Sequence, residues 1–456
     1  MFYETEMLRA LGCSPLLLMC SAMARWRHIR SILLVCFALS FVFIADQYRA
    51  AFNATFNPGG LRHGAVDRYA DEFVLRESSM ERASNSTLGF HAIYYINMKA
   101  RYDRSDAAFL QAYISGLDIH DYPAVKADMI DPVGMPPTHR PSVLKIGEKG
   151  CWRAHSNIWA EMVRNKLPPV LIMESDATWD INVRPIMSNL NRHFVEFLRH
   201  INSTTVHDPS WGAKDNRHPL ADHHLHTQRR EDTHNTASLP PPPPPTTTTT
   251  TPPPPIKYST DDPWLSKHWD LLSLGQCFEH SQDKDINLIY QDARVPAGND
   301  YWGRKLGHER VIRKSGGITC TTAYAISHTG AAKLLLRSAV DLDNPVDLLI
   351  RRLTLSRDLV AYSVMPPVIA QWEYRGDLGM GERGAQSDIN GGQHQDTPAD
   401  AEMKGWDEVV RTGTIWNTKR HQKDVAFDKM ALDVAWRQIL GKAVLANSWY
   451  NPESGD

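Results

Sequence analysis

The sequence predicts an α/β fold in which a mainly parallel sheet is covered by helices on both faces. Two observations carry this. Strand-like and helix-like segments alternate from His91 to His200, and parallel neighbours need such crossovers. The strand-like segments are short unbroken apolar runs, the pattern of strands buried on both faces.

The elements follow in order. His91–Met98 (HAIYYINM) is β-rich and reads as the first buried strand. Ser105–Leu117 reads as a helix, with Ala108, Tyr113 and Leu117 among its apolar positions. Gly150–Lys166 is a stronger helix, because Cys151, His155, Ile158, Trp159, Met162 and Val163 share one face. Leu167-Pro168-Pro169 ends it. Val170–Met173 is a second apolar strand, with Glu174-Ser175-Asp176 at its carboxyl end. Beyond residue 258, strands are expected at Trp269–Leu274, Thr321–Ser327 and Val360–Met365. Helices are expected at Gly330–Ser338, Val346–Thr354 and Phe427–Ala446.

Regions flanking this body differ in composition. Ser31–Ala45 is apolar and uncharged and follows Arg25, Arg27, His28 and Arg30. A basic flank before an apolar run places the N-terminus in the cytosol and sends the rest across. We read residues 1–30 as a cytosolic segment and 31–45 as a transmembrane signal anchor; the alternative is a cleaved signal peptide. Translation from Met23 would leave a short basic head. Residues 46–90 lack sustained periodicity and read as a stem. Residues 201–258 carry Pro240–Pro245, Thr246–Thr251 and Pro252–Pro255. Such a composition cannot bury a core, so it reads as a disordered insertion between halves at 91–200 and 259–390. Asp222, His223, His224 and His226 within it read as a solvated tract, with metal binding as the alternative. Residues 391–456 form a C-terminal extension. Sequons at Asn53, Asn85 and Asn202 all follow the anchor and agree with a lumenal body.

The chain has 456 residues, with 50 Lys+Arg against 52 Asp+Glu. That balance argues against a general nucleic-acid binder, which needs a basic stripe. Six cysteines contain no CxxC pair, so zinc-ribbon and thioredoxin-type motifs are excluded. Cys151, Cys277 and Cys320 allow at most one disulfide, with one thiol left over.

Glu174 and Asp176 are the candidate chemistry. Carboxylates two residues apart, where a buried strand runs into a loop, can meet one divalent cation. Burying both without a counter-ion is costly. Hard oxygen ligands suit Mn²⁺ or Mg²⁺, and the carboxyl ends of strands are where open α/β sheets bind ligands. The alternative is a solvated acidic loop.

Six motifs, taken in order, resemble those of glycosyltransferase family 25, which includes lipopolysaccharide glycosyltransferases and procollagen galactosyltransferases. Ile96-Asn97-Met98 with Arg101, Asp103 and Arg104 resembles its INL-x-x-R-x-D-R opening. Gly147-Glu148-Lys149-Gly150-Cys151 with His155 and Trp159 resembles its G-E-x-G-C-x-x-S-H-x-x-x-W helix. Val170–Asp176 resembles its strand ending in E-D-D, and Trp269–Gly275 its W-D-x-x-x-L-G. Thr321 or Thr322, then Tyr324, Ile326, Ser327, Gly330 and Ala331, resemble its T-x-x-Y-x-I-S-x-x-G-A. Pro345-Val346-Asp347 matches its P-V-D. Ser175 replaces the central Asp, and Ala154 the Ser before the histidine.

The resemblance implies a GT-A-like fold with a nucleotide-binding sheet and the acceptor part downstream. It implies transfer of a hexose, galactose from UDP-galactose, to a glycan or glycoprotein by a metal-assisted inverting mechanism. Glu174 and Asp176 would hold Mn²⁺ or Mg²⁺ against the UDP-sugar. Arg101 and Arg104 would grip its phosphates through paired hydrogen bonds, surface ion pairs being the alternative. Asn97 would read base or ribose. Asp347 is the leading catalytic base and Asp388 the second candidate; Asp347 also reads as a helix N-cap. His155 reads as a core histidine. The implied setting is a single-pass type II protein of the Golgi or ER membrane with a lumenal catalytic domain. The Ser175 substitution motivates the other reading, a catalytically silent glycan-binding or scaffolding protein of the same fold.

Overall fold

The computed structural model describes residues 66–139, 144–201, 255–279, 286–375, 414–418 and 427–440, with Leu378, Trp406 and Val409. From Asp71 onward the chain forms one unit, and Met1–Ala70 counts as another. The expected anchor, the sequons at Asn53 and Asn202, nearly all of the Pro/Thr/His-rich insertion, and Asp388 lie outside the described residues. No helix among the described residues is long and apolar enough to cross a membrane.

The N-terminal half runs α1 (Val66–Ala83), β1 (Ile93–Asn97), α2 (Tyr102–Ser115), β2 (Ile119–Pro123), α3 (Ile146–Asn165), β3 (Val170–Glu174), β4 (Ala177–Trp179) and α4 (Val183–His200). Strands β5 (Leu271–Ser273), β6 (Phe278–Glu279), β7 (Asn287–Gln291), β8 (Asp300–Tyr301), β9 (Arg304–Lys305), β10 (Glu309–Lys314), β11 (Ile318–Thr319) and β12 (Ala323–Ile326) follow. The chain continues through α5 (His328–Val340), α6 (Val346–Leu355), β13 (Ala361–Met365), β14 (Ile369–Tyr374), β15 (Trp416–Thr418) and α7 (Ala431–Leu440).

Eight strands form one sheet in the order β2-β1-β3-β12-β5-β13-β10-β7. This corrects the expectation of a mainly parallel sheet. Parallel pairing joins β2 to β1, β1 to β3 and β5 to β13, whereas β12 and β10 are antiparallel to both neighbours. A strand buried on both faces reads the same in either direction, so the apolar run around Tyr324 carried no sign of its reversal.

Side-chain alternation divides the core between the two faces of the sheet. Tyr95, Leu171, Met173 and Leu272 pack with Phe194 and Phe197 of α4 and with Trp264 and Trp269. Ile96, Val170, Ile172, Tyr324 and Ile326 pack with Trp159 of α3, Leu334 of α5 and Ile350 of α6. Each fully buried aliphatic or Phe side chain contributes roughly 1.5–3 kcal/mol, so the site rests on a rigid platform.

Another correction concerns the stem. Ala83 at the end of α1 and the following Leu88 and Phe90 are buried in the core, so the last part of that stretch belongs to the body. The charged composition of α1 hides its helical period. Helix α3 starts at Ile146, four residues before the expected start, and Glu148 accepts a hydrogen bond from the Lys145 backbone N–H at 2.7 Å. It stops at Lys166, in the left-handed region, just before the two prolines.

Two glycines explain parts of the repeated motifs. A Cβ on Gly150 would lie 2.3 Å from the Val125 carbonyl oxygen, so α3 can approach the loop after β2 only with glycine there. A Cβ on Gly330 would lie 2.3 Å from the Asp270 carbonyl oxygen. Asp270 itself is buried, and its Oδ2 accepts from Lys333 Nζ at 2.6 Å and from the Val360 N–H at 2.8 Å. Ser327 caps α5, accepting from the Gly330 N–H, while its own N–H donates to the Asp270 carbonyl. The Trp-Asp and Ser-x-x-Gly-Ala motifs are therefore one structural joint.

Candidate active site

Strands β1 and β3 end side by side, and their carboxyl ends open on a cavity of about 680 Å³. Arg104, Lys126, Lys145, Cys151, His155, Glu174, Ser175 and Asp176 are among its lining residues. The acidic turn is held from both sides. The Glu174 N–H donates to the Thr322 carbonyl at 2.9 Å, and the Trp372 N–H of β14 donates to the Asp176 carbonyl at 2.8 Å. Strand β14 also pairs antiparallel with β4, immediately after the turn.

Glu174 is held by one short hydrogen bond and sits beside a buried, hydrogen-bonded histidine. Its Oε1 accepts from Thr321 Oγ1 at 2.6 Å and lies 3.4 Å from His155 Nε2. His155 is 1 % exposed, and its Nδ1 lies 2.9 Å from the Tyr324 hydroxyl. That hydroxyl oxygen accepts from Trp159 Nε1 at 3.1 Å. The indole can only donate, so the hydroxyl accepts from Trp159 and has its own proton to offer Nδ1. A His155 with hydrogen on Nε2 matches that arrangement and turns an N–H toward the carboxylate. Burial raises the Tyr324 pKa well above its ordinary value, with Cys151 and Glu174 adding to the rise, so the donor stays protonated.

The histidine expected in the core is thus a core residue, held by Tyr324 with its buried Nε2 turned toward Glu174. Tyr324→Phe is expected to leave the Trp159 N–H and His155 Nδ1 unpaired, at a cost of about 1–3 kcal/mol for each buried group. Urea denaturation reads that loss. A variant as stable as the wild type would remove this network from the account.

The middle residue of the triplet turns toward α2. Ser175 Oγ accepts from Arg104 Nη1 at 2.9 Å, and the Ser175 carbonyl accepts from Tyr95 at 3.0 Å. Arg104 Nη2 lies 4.0 Å from Asp176 Oδ2. Arg104 therefore binds the turn and also lines the cavity, as its expected role requires. Arg101 is placed differently. Its Nε and Nη2 donate to the two oxygens of Asp103 at 2.9 and 2.8 Å, and it does not line the cavity. The ion-pair alternative describes it better than the phosphate grip. Asn97 is buried, with Nδ2 donating to the Arg101 carbonyl at 3.3 Å. Ile96 and Met98 line the cavity, and Asn97 between them does not.

Asp347 comes to the same corner from the far half of the chain. It lies in the first turn of α6, where Pro345 holds the cap position, so the N-cap alternative does not apply. Its Oδ2 accepts from the Cys320 N–H at 3.1 Å. Burial pushes the Cys151 thiol up, and the charges of Glu174, Asp347 and Glu148 push it further. Cys151 thus senses both proposed acidic centres. Asp347 itself is not among the residues lining the cavity.

The residue before Thr321 closes the arrangement. Cys320 is bonded to Cys277, and of the three described cysteines Cys151 is the free thiol. Thr321, Lys126 and Lys145 carried no assigned role in the sequence. The T-x-x-Y spacing marked Thr321 as part of a motif but not as the partner of Glu174, and loop lysines have no periodicity to mark them.

Among the described residues, two groups could collect a cation. In one, His139, Asp341 and Asp343, Asp343 is already paired with Arg337 and Arg352. The other is Cys151, His155 and Glu174. The fit of Mn²⁺ or Mg²⁺ rests on oxygen donors in the cavity wall. Glu174 has Oε1 engaged and takes no hydrogen bond on Oε2 among the described residues, while Asp176 adds a second carboxylate. That donor set suits a hard cation.

A mixed α/β sheet with acidic residues and cations around a cleft at its strand ends is the arrangement of a glycosyltransferase fold. The family model of glycosyltransferase family 25 (LPS biosynthesis protein) matches residues 90–350, and the chain belongs to that family. A glycosyltransferase 25 family member of Drosophila melanogaster is 30 % identical over 130 residues, covering 26 % of this chain and 20 % of that protein. One of Anopheles gambiae is 30 % identical over 105 residues, covering 20 % of this chain and 18 % of that protein. The chain thus spans about a fifth of the curated relatives it matches.

Proposed function

We propose that this chain is a metal-assisted, inverting glycosyltransferase that moves a hexose, galactose from UDP-galactose, onto a glycan or glycoprotein. The observation that carries the reading is Glu174, held by Thr321 and lying 3.4 Å from the buried His155, at the strand end that opens on the cavity. Glu174 and Asp176 would hold Mn²⁺ or Mg²⁺, which offsets the negative charge that grows on the leaving diphosphate. Arg104, Lys126 and Lys145 give the cavity wall further positive charge. Asp347 is the proposed base, taking the proton of the acceptor hydroxyl as that oxygen attacks the anomeric carbon; Asp388 stands as the second candidate.

We place the catalytic body in the lumen of the Golgi or ER, held by the Ser31–Ala45 anchor. The Cys277–Cys320 disulfide supports an oxidising compartment.

Thermal shift with UDP-, GDP- and CMP-sugars, with and without Mn²⁺, tests the reading. A donor at 100 times its Kd stabilises the folded state by about 2.7 kcal/mol. A UDP-hexose is expected to raise the midpoint, with most of the rise depending on Mn²⁺. A folded protein indifferent to every sugar nucleotide would overturn the proposal.

A further inference from the structure

We infer that a second cavity, between Trp302 and Arg313, is a subsite for one sugar ring of the acceptor. The inference rests on the transferase reading above and supplies what that reading lacks, the place where the acceptor binds.

The cavity measures about 180 Å³ and shares no lining residue with the first. It is smaller than the roughly 300–1,000 Å³ of sites that enclose a drug-sized ligand, which limits it to about one ring. Its floor is polar and fixed. Arg313 Nε donates to Glu279 Oε2 at 2.9 Å, and the same oxygen accepts from Ser363 Oγ at 2.6 Å. The Glu279 side chain is 1 % exposed, so this pair is buried. The rim is aromatic and open, with Phe278 55 % and Trp302 52 % exposed. Asp300 adds a half-exposed carboxylate beside them.

The backbone sets the rim deliberately. Trp302 and Gly303 join β8 to β9, with φ of +55° and +80°. Two positive φ values suit the twist of a two-residue hairpin, and Asn-Gly is the usual pair. A bulky residue in the left-handed region costs on the order of 1–3 kcal/mol. That cost is paired here with an indole at the hairpin tip, beside a polar floor. A pyranose ring has the matching chemistry: C–H groups on one face for the electron-rich face of an indole, and hydroxyls for the half-exposed Asp300 carboxylate and the Arg313 guanidinium edge.

Position agrees. Strands β3, β5 and β13 point the same way, because β12 is antiparallel to β3 and β5, and β13 is parallel to β5. Met365 ends β13, Gln276 and Cys277 follow the carboxyl end of β5, and all three line the second cavity. Glu174 ends β3 and lines the first. Both cavities therefore lie at the carboxyl ends of these co-directional strands. The disulfide stands between them, since Cys277 lines the second and Cys320 precedes the Thr321 that holds Glu174.

The test uses saturation-transfer NMR on the full chain with methyl glycosides of galactose, glucose and N-acetylglucosamine. The wild type, Trp302→Ala and Trp302→Phe are compared, with the UDP-hexose thermal shift recorded on each. At least one glycoside is expected to bind the wild type, about tenfold more weakly to Trp302→Ala, and to recover with Trp302→Phe. Equal binding by wild type and Trp302→Ala, or no glycoside binding by the wild type, overturns the subsite. Trp302-dependent glycoside binding without any sugar-nucleotide shift upholds the subsite and overturns the transferase reading instead.

Discussion

Glu174→Gln is expected to lower kcat/KM by about 10²–10³-fold, the size seen when a single charge-stabilising contact is removed from a transition state. The substitution keeps the shape of the side chain and leaves an oxygen for the Thr321 hydroxyl at 2.6 Å. It removes the charge that faces the cavity and the partner of His155 Nε2, 3.4 Å away. The effect should fall on kcat as well as on kcat/KM, because charge on the leaving diphosphate is greatest in the transition state. Steady-state transfer assays with a UDP-hexose, beside a circular dichroism check of the fold, measure it. A folded Glu174→Gln enzyme within a factor of three of wild type would remove Glu174 from the mechanism.

Replacing both Cys277 and Cys320 by Ser is expected to lower stability by up to about 4 kcal/mol, the loop-closure entropy for the separation of 43 residues. A second effect should accompany it. The Cys320 N–H donates to Asp347, and the next residue holds Glu174. Freeing this corner should therefore loosen both carboxylates and reduce kcat even where the protein stays folded. Denaturant titration and kcat at low temperature separate the two effects. Treatment of the wild type with a reductant should reproduce both. Unchanged stability in the double variant would mean that the bond does not form in solution.

Much of the platform was legible in the sequence. The first strand, the α3 face, the strand ending at Glu174 and the alternation between them follow from periodicity and apolar runs. The motifs placed Glu174, Asp176, Arg104 and Asp347 together before any geometry was known. Strand direction was not legible, because β12 is as apolar in its reversed sense as any parallel strand and the charged β10 carries no apolar run to mark it as a strand. Helix α4 carries a clear stripe at Ile186, Leu190, Phe194 and Phe197. Pro185 in its first turn, where proline is tolerated, disguises the start. The placing of Arg101 turned on a neighbour two residues away, Asp103, which accepts from its Nε and Nη2. The Thr321–Glu174 bond joins residues 147 apart, and no local pattern reports such a contact.

The acidic turn is completed by chain made much later. Strand β14 binds the Asp176 carbonyl, β15 backs β14, and the Lys429 N–H donates to Asp180 at 2.8 Å. During synthesis the turn leaves the ribosome some 250 residues before Lys429 does. At roughly 5–20 residues per second the interval is on the order of tens of seconds. For the first part of it, until residues 323–326 arrive, the strand bearing Glu174 lacks β12, the neighbour that covers its free edge. An exposed strand edge with an apolar sequence is a pairing hazard. The reactive centre is therefore among the last parts of the molecule to mature, and its nascent form is the one most in need of a chaperone.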